Sequence, residues 1–374
     1  MRISIIGPAY PLRGGIAHHV YWLRQELTAR GHTVQVISFR KLYPRIFFPG
    51  TTELDVSNIK LDAGALALLT PLNPISWRRT FKEVQAFSPD AVLFQWWQPF
   101  FGPTVGMLAR WFRKSGIKCI IECHNVFPHE GSPVDVRLTR FALSAADHLI
   151  THSRKDRKDL LDLIPGMAVS VANLPRLKEF SGPAGQRRDG RTILFFGKVR
   201  AYKGLPLLLG AMPEVLAKVE CKLMVVGEFY DPIEKYQKLI SDLGIDSHIQ
   251  IINRYVANEE VVPIFERADV LVLPYLSASQ SGVARIALSN GLPVIASSVG
   301  GLSETIIDGV NGMLFTPGDS GALAARLVSY FTNNLGPGLS ANILAEAADK
   351  KQHLERVIEQ IAGASEPVTN SCSV

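Results

Sequence analysis

Cysteine is scarce in this chain, and its positions do not form a disulfide pattern. The 374 residues include four cysteines, Cys119, Cys123, Cys221 and Cys372, which lack the paired spacing of a disulfide framework or a zinc site. We therefore expect a reducing compartment. No metal-ligand spacing such as D-x-D is visible in a suitable place, so we predict neither a metal nor another cofactor.

Long hydrophobic runs are also missing. The longest apolar stretch, residues 63–69, is soon followed by Pro71 and Pro74, and it is far shorter than the roughly 20 residues that cross a bilayer. The first residues, MRISIIGPAYP, read as a strand and are too short for a signal-peptide core. We expect a cytoplasmic protein, with peripheral contact at the inner membrane face as the alternative location.

Charge of one sign is not concentrated anywhere in the sequence. There are 40 basic and 34 acidic residues, a net charge of +6, with 47% hydrophobic and 20% charged residues. This composition indicates a globular chain, and the absence of a dense basic run argues against a nucleic-acid partner. The small basic excess fits an anionic ligand or a membrane surface.

Short β-rich runs alternate with helical patterns along two parts of the chain. The first set runs from Ile3–Ile6 to His148–Thr151 and the second from Thr192–Phe196 to Val294–Ala296. Such alternation predicts an α/β fold with two doubly wound, Rossmann-like parallel-sheet domains that face each other across a cleft. The predicted divisions are residues 1–178, a linker at 179–191, a second domain at 192–340, a helix at 341–365 that packs back across the linker, and a tail at 366–374.

A small-residue loop after the strand Val270–Leu273 is the most informative feature present. Its core, Ser279-Gln280-Ser281-Gly282-Val283, precedes a helix that extends to Asn290 and ends before Gly291. A helix beginning directly after such a loop leaves backbone N–H groups and a positive dipole end, which suit a phosphate. An ordinary strand-to-helix turn is the alternative interpretation.

Three further motifs follow strands of the predicted sheets. Gly14-Gly15 precedes the first helix and lets the main chain approach a ligand, although the dinucleotide-binding spacing G-x-G-x-x-G is absent. Lys198 and Lys203 follow the first strand of the second domain, where they would neutralise a pyrophosphate. His124 ends a strand of the first domain and would hydrogen-bond a substrate hydroxyl. The alternatives are a flexible loop, solvated lysines and a buried structural histidine.

In this order, these motifs resemble those of glycosyltransferase family 4, the retaining nucleotide-sugar enzymes with the GT-B fold. The resemblance extends to about Pro317 and includes FFGKVRAYKG at 195–204, ADVLVLPY at 268–275, GLPVIAS at 291–297 and GGLSETIIDGVNGMLF at 300–315. It implies a glycosyltransferase of the hexosyl type that transfers a sugar from a nucleotide-diphosphate donor with retention of configuration.

The resemblance also implies roles for particular residues. Gly14, Gly15 and the amides of Ser281, Gly282 and Val283 would hold the donor diphosphate. Lys198 and Lys203 would neutralise the leaving group, and His124 would touch the transferred sugar. The segment 252–256, with Arg254, would line the base pocket.

One departure from the family pattern concerns two glutamates that typical members place around the phosphate loop. Their positions hold Ala278 and Ile286 here, and neither side chain accepts a hydrogen bond. A subset of the family has a Gln-Ser-Gly-Val loop instead of the pair. In that case Gln280 would bind a sugar hydroxyl, and Arg285 would add charge near the phosphates.

The acceptor is implied only as a class, a glycan or a lipid-linked glycan, in the synthesis of cell-surface polysaccharide or glycolipid. The segments 77–82 and 111–114 mix aromatic and basic residues and either contact an anionic membrane or form the outer faces of helices. Two rival functions remain open: a catalytically silent subunit that binds a nucleotide sugar or glycan beside an active transferase, and a nucleotide-sugar epimerase on a similar fold.

Overall fold

The structure is a computed structural model of the chain. It describes residues 1–43, 52–127, 132–174, 180, 182, 191–345 and 350–362. The predicted linker at 179–191 and the tail at 366–374 fall almost entirely outside these residues.

The first domain is a seven-stranded parallel sheet covered by helices on both faces. The strand order is β3-β2-β1-β4-β5-β6-β7, so the chain reverses its winding direction at β1 and β4. The elements in chain order are β1 (Arg2–Ile6), α1 (Gly15–Ala29), β2 (Thr33–Phe39), β3 (Leu66–Leu69), α2 (Pro74–Phe87), β4 (Ala91–Trp96), α3 (Gly102–Lys114), β5 (Lys118–Cys123), α4 (Pro133–Leu143), β6 (His148–Thr151), α5 (Arg154–Leu163) and β7 (Val169–Val171).

The second domain repeats this architecture with six parallel strands in the order β10-β9-β8-β11-β12-β13. Its elements are β8 (Thr192–Phe196), α6 (Leu205–Leu216), β9 (Lys222–Val226), α7 (Ile233–Asp242), β10 (Ile249–Ile252), α8 (Asn258–Glu266), β11 (Val270–Leu273), α9 (Gly282–Ser289), β12 (Val294–Ser297), α10 (Leu302–Thr305), β13 (Gly312–Phe315) and α11 (Ser320–Thr332), followed by α12 (Gly336–Ala345) and α13 (Lys350–Ala362). The prediction of two doubly wound parallel-sheet domains is confirmed.

The strands are buried apolar runs because helices cover both sides of each sheet. All six residues of β4 and all five of β8 are buried, for example. The last helix crosses back to the first domain, where Val357 and Ile361 join the core formed by β1, β4 and α1. Within the described residues, no helix combines the length and the apolar character that crossing a membrane requires.

Some predicted boundaries were wrong, for local reasons. The first helix, predicted near residues 17–30, begins at Gly15, because Gly14, with φ 122°, is its N-cap. The predicted helix at 341–365 is two helices, α12 ending at Ala345 and α13 beginning at Lys350. α5 was not predicted, since its sequence RKDRKDLLDL is mostly charged and buries only one side.

Candidate functional site

A cavity of about 390 Å³ lies between the two domains, at the carboxyl ends of their strands. This is where ligands of doubly wound sheets bind. Eight of the ten predicted site residues line it: Gly14, Gly15, His124, Lys198, Arg254, Gln280, Gly282 and Val283. The other two, Ser281 and Lys203, are buried beside it.

Two helices begin at this cavity, one from each domain. The first helical hydrogen bond of α1 is His18 N to Gly14 O, and that of α9 is Arg285 N to Ser281 O. The amides before these bonds, including those of Gly15, Gly282 and Val283, therefore have no partner within their own helix. The Ser281 hydroxyl caps α9 by accepting from Ala284 N, so Ser281 also supports the loop through its side chain.

Glycine is required at the first of these helix starts and keeps space open at both. Gly14 has φ 122°, a conformation that other residues rarely adopt. A Cβ built on Gly15 or Gly282 would have no heavy atom within 4 Å. The main chain is thus bare toward the cavity, and a ligand anion can approach the amides of both helices.

Four cations lie beside the cavity, and Glu228 interacts with two of them, Arg13 and Lys198. Arg13 and Glu228 form a buried ion pair of 2.5 Å that joins the first domain to the second. Lys198, Arg200 and Lys203 lie in the loop after β8. Two further nitrogens of the Arg13 guanidinium, Nε and Nη1, are buried without a hydrogen-bond partner. Among the described cavity-lining residues, Glu228 is the one carboxylate, so the site favours an anion.

The ammonium of Lys198 is perturbed by this environment. Its pKa is lowered to about 8, first because surrounding protein displaces water from the charge and second because Arg13, Arg200 and Lys203 repel it. Glu228 acts in the opposite direction. The side chain still reaches the water of the cleft, so an incoming anion would restore the favourable charge balance.

Lys203 is placed beneath the cavity rather than on its lining. The residue is 8% exposed, and a Cβ built on Gly197 would come within 3.0 Å of its Nζ. The ammonium also lies 5.3 Å from the centre of the Tyr275 ring. Burial lowers the pKa of Lys203. The fold thus keeps this ammonium buried in the same loop as Lys198, although burial disfavours its charge.

His124 is on the cavity wall and is fixed by contacts from three sides. Its backbone N–H donates to Trp96 O at 2.8 Å, and its carbonyl accepts from Ser279 Oγ at 3.1 Å. Its Nε2 is 2.6 Å from Gln95 Oε1. Ser279 also bonds the side chain of Asn125. The phosphate loop of the second domain is thereby tied to the end of β5 in the first.

The side chain of Gln280, at the cavity wall, hydrogen-bonds both domains. Its Nε2 donates to His152 O at 2.9 Å, and its Oε1 accepts from Thr305 Oγ1 at 3.1 Å. The amide that was expected to bind a sugar hydroxyl is therefore engaged in joining the two domains. Both ends of the amide are satisfied by protein, which explains why a glutamine, with one donor end and one acceptor end, fits this position.

The two positions that hold glutamate in typical family members, Ala278 and Ile286 here, have different surroundings. Ile286 lines the cavity. Ala278 packs closely against Gly300, since a Cβ added to Gly300 would lie 1.7 Å from Ala278 O. Arg254, assigned to the base pocket, lines the cavity while its guanidinium makes two 2.6 Å contacts with Glu260. Arg285 is 6% exposed and also lines the cavity.

Several cavity residues were missed by sequence reasoning. Arg13 and Glu228 are 215 positions apart, and His19 contacts Glu122 across 103 positions. The one signal in the sequence was Glu122, a charged residue inside the apolar strand β5, which indicates a buried polar contact. His19, Glu122 and His124 also place their ligand atoms within 4.8 Å of one another, as a metal site would, a proximity that no sequence spacing suggested.

Two family models match the chain, one in each domain. Residues 14–175 match the glycosyl transferase 4-like domain, and residues 190–333 match glycosyl transferases group 1. The first match includes the Gly14-Gly15 loop of the cavity, and the second includes the loop 279–283. Both loops thus belong to segments that are typical of this family.

Curated relatives agree with these matches. An uncharacterised glycosyltransferase of Methanocaldococcus jannaschii is 32% identical over 39% of this chain and 37% of its own length. A phosphatidyl-myo-inositol mannosyltransferase of Mycobacterium leprae is 25% identical over 90% of this chain and 88% of its own. The chain spans about half the length, or less, of the first relatives that it matches.

Solved structures show the same fold over almost the whole chain. A sucrose-phosphate synthase of Thermosynechococcus elongatus has a TM-score of 0.76 at 18% identity, covering 97% of this chain and 100% of that one. HepE of Anabaena in complex with UDP has a TM-score of 0.72 at 15% identity, covering 97% and 99%, and HepE has also been solved with UDP-glucose. The fold is GT-B, and the chain combines a glycosyl transferase 4-like segment in its first domain with a glycosyl transferases group 1 segment in its second.

Proposed function

We propose that this protein transfers a sugar from a nucleoside-diphosphate donor to a glycan or lipid-linked acceptor with retention of anomeric configuration, as a hexosyltransferase. The observation that carries the proposal is the convergence of two bare helix N-termini on one interdomain cavity that Lys198 lines, with Arg13, Arg200 and Lys203 close enough to act on the Lys198 charge. That arrangement suits a diphosphate. The complexes of HepE with UDP and UDP-glucose support this class of donor.

The proposed mechanism depends on charge rather than on a strong acid or base. When the bond between the sugar and the diphosphate breaks, negative charge develops on the leaving phosphate. Amides of Gly15, Gly282 and Val283 and the ammonium groups of Lys198 and Lys203 stabilise that charge where it develops. The acceptor hydroxyl attacks from the face that the leaving group vacates and passes its proton to the departing phosphate. The loop belongs to the subset of the family that lacks the usual glutamates.

The pH dependence of donor-product binding should report on Lys198. Its ammonium is charged below about pH 8 and neutral above, and a diphosphate binds the charged form. We expect the affinity for UDP to fall about tenfold between pH 7 and pH 9.5. Titration calorimetry at several pH values measures this fall.

Lys198→Arg is the matched control for that prediction, because a guanidinium stays charged over the whole range. Its affinity should decline less with pH. An equal decline in both proteins would show that Lys198 is not the titrating group.

Substitution of Gly15 should block the diphosphate without disturbing the fold. A valine there would project into space that holds no protein atom within 4 Å. We expect Gly15→Val to weaken UDP binding at least tenfold, because one methyl group in van der Waals contact with the bare amides prevents their close approach to a phosphate. The melting temperature should change little.

Gly338→Val is a suitable comparison, since Gly338 also has no atom within 4 Å of its Cβ position but lies in α12, far from the cavity. It should leave UDP binding unchanged. If Gly15→Val bound UDP as tightly as Gly338→Val does, the diphosphate would not lie at the start of α1.

Contact with an anionic membrane through the segment 77–82 is a further part of the proposal. The aromatic rings of Trp77 and Phe112 are buried in the first domain's core, so the basic residues rather than these two rings would make the contact. The same helices expose Arg78, Arg79 and Lys82, and Ile75 is 78% exposed at the start of α2. This face would bring the chain to the inner membrane surface and to a lipid-linked acceptor used in polysaccharide or glycolipid synthesis.

Co-sedimentation with vesicles tests the membrane contact. Arg78→Gln/Arg79→Gln should reduce binding to vesicles that contain anionic lipid, whereas neutral vesicles should bind neither protein. Equal sedimentation of both proteins with anionic vesicles would contradict the assignment of this face.

The proposed reaction is tested with a panel of UDP-, GDP- and ADP-sugars and polyisoprenyl-phosphate and oligosaccharide acceptors. Release of nucleoside diphosphate together with a glycosylated product is the expected result, and the anomeric coupling in the product's NMR spectrum tests retention. A thermal shift with a donor but no turnover would indicate the silent binding subunit. Conversion of the donor sugar without transfer would indicate an epimerase.

A further inference from the structure

A polar network lies under the sugar end of the cavity, inside an otherwise apolar part of the first domain. Glu122 is fully buried on β5, and Gln95, 1% exposed, is its register partner on β4. Two residues earlier on these strands, Leu93 and Ile120 belong to the apolar core. A carboxylate at such a position is costly unless several donors surround it.

Two nitrogen atoms lie within hydrogen-bond distance of the Glu122 carboxylate, one on each oxygen. His19 Nε2 of α1 is 2.9 Å from Oε1, and Gln95 Nε2 donates to Oε2 at 2.9 Å. His152 Nδ1 donates to Ala172 O at 2.8 Å, and its Nε2 lies 3.7 Å from Glu122 Oε1, beyond hydrogen-bond distance. Both carboxylate oxygens thus accept hydrogen bonds, as those of an ionised carboxylate do.

This arrangement determines which way the Gln95 amide points. The amide nitrogen donates to Glu122, so the amide oxygen faces the other way. That oxygen is 2.6 Å from His124 Nε2. Because the oxygen also accepts only, His124 must carry its proton on Nε2 and use Nδ1 as its acceptor.

Gly7 leaves room for the Gln95 side chain that links Glu122 and His124. A Cβ on Gly7, at the end of β1, would lie 2.6 Å from Gln95 Cγ. Gly7 has an ordinary backbone conformation, since its φ is not among the positive values. Its lack of a side chain is therefore explained by space for Gln95 rather than by a strained turn.

We propose that Glu122 and Gln95 are positioning residues that fix His124 in the Nε2–H tautomer, with Nδ1 as the acceptor for a hydroxyl of the transferred sugar. The statement about the sugar rests on the proposed function, whereas the statement about the tautomer does not. The sugar would then be oriented by a histidine that neither rotates nor exchanges its donor and acceptor atoms, which preserves the geometry that transfer requires.

NMR of the full chain with ¹⁵N-labelled histidine tests the tautomer without any ligand. The chain has nine histidines, and loss of one signal set in His124→Asn assigns His124. The wild type should show the Nε2–H form. In Glu122→Gln the new amide both donates and accepts, so Gln95 is free to turn and a mixture should appear. Gln95→Met removes both bonds and should give the same mixture, which covers the case in which one variant does not fold.

Gln35→Met is the matched control, because Gln35 lies on the same sheet and is hydrogen-bonded by Ser4, away from the network. It should leave the His124 signals unchanged. An Nδ1–H form or an imidazolium in the wild type, or an unchanged tautomer in Gln95→Met, would overturn the proposal. So would tight binding of one equivalent of Zn²⁺ that shifts the His19 and His124 signals together, because the cluster would then be a metal site.

A kinetic comparison separates positioning from general damage. In Gln95→Met the affinity for UDP, which has no sugar, should stay within about twofold of wild type, while turnover of the active donor falls about tenfold to a hundredfold. Equal losses in UDP affinity and in turnover would mean that the network only supports the fold. If no donor turns over in the wild type, the proposed function fails, and the NMR result still decides the tautomer.

Discussion

Lys203→Met is expected to lower the rate of sugar transfer at least tenfold, an increase in the activation barrier of about 1.4 kcal/mol. The lysine is held beneath the interdomain cavity, with Nζ close to Gly197, where, in the proposed mechanism, its positive charge stabilises the negative charge that develops on the leaving phosphate. Steady-state kinetics with the donor identified from the panel measures the effect. The loss should fall mainly on kcat, since the phosphate gains charge in the transition state.

The stability of Lys203→Met should stay the same or rise, although its activity falls. Burial lowers the pKa of Lys203, which means that the folded protein holds the charged form at a cost. Methionine has a similar shape and no charge, so the melting temperature should stay the same or rise. Lys218→Met is the control, because its ammonium pairs with Glu214 on the surface. Loss of activity together with loss of stability in Lys203→Met would point to a structural lysine instead.

Gly204→Ala is expected to destabilise the second domain by about 3 kcal/mol or more. Gly204 has φ 68°, and an added Cβ would lie 1.9 Å from Pro274 O. Since that atom is backbone, neither side can yield without moving the end of β11 or the turn that holds Lys203. Thermal or denaturant unfolding followed by circular dichroism measures the loss, which should appear as a markedly lower melting temperature.

Gly210→Ala is the matched control in the following helix. Gly210 is exposed in the interior of α6, and its Cβ position has no atom within 4 Å. Alanine is the better helix former there, so this variant should gain up to about 1 kcal/mol. If the two variants had equal stability, the close approach of Gly204 to Pro274 would not exist in solution.

The parts of the fold that local chemistry determines could be predicted. Buried strands such as Val270–Leu273 are short apolar runs bounded by proline or glycine, and they were found at the predicted residues. Mostly charged or short elements were missed: α5 for its composition, and β7 because three residues carry too little pattern. Helix ends shifted where a glycine, not a polar side chain, is the N-cap.

The site was predictable where one loop makes it and unpredictable where two domains meet. Gly15 and Gly282 are recognisable because each stands between a strand and a helix. The partner of Arg13 depends on how the domains are oriented, and so does the hydrogen bond from Gln280 to His152 O. Orientation results from many weak contacts along the whole interface, and no single segment encodes it.

The central claim is that the cavity binds a diphosphate through the amides and the cations of both domains. Calorimetric titration with UDP, GDP and ADP, and with the matching monophosphates, tests it most directly on the wild type and on Lys198→Met. The account predicts that one diphosphate binds at least tenfold more tightly than its monophosphate, and that Lys198→Met removes most of this difference. Equal affinity for the two phosphates, or a diphosphate affinity that Lys198→Met leaves unchanged, would contradict it.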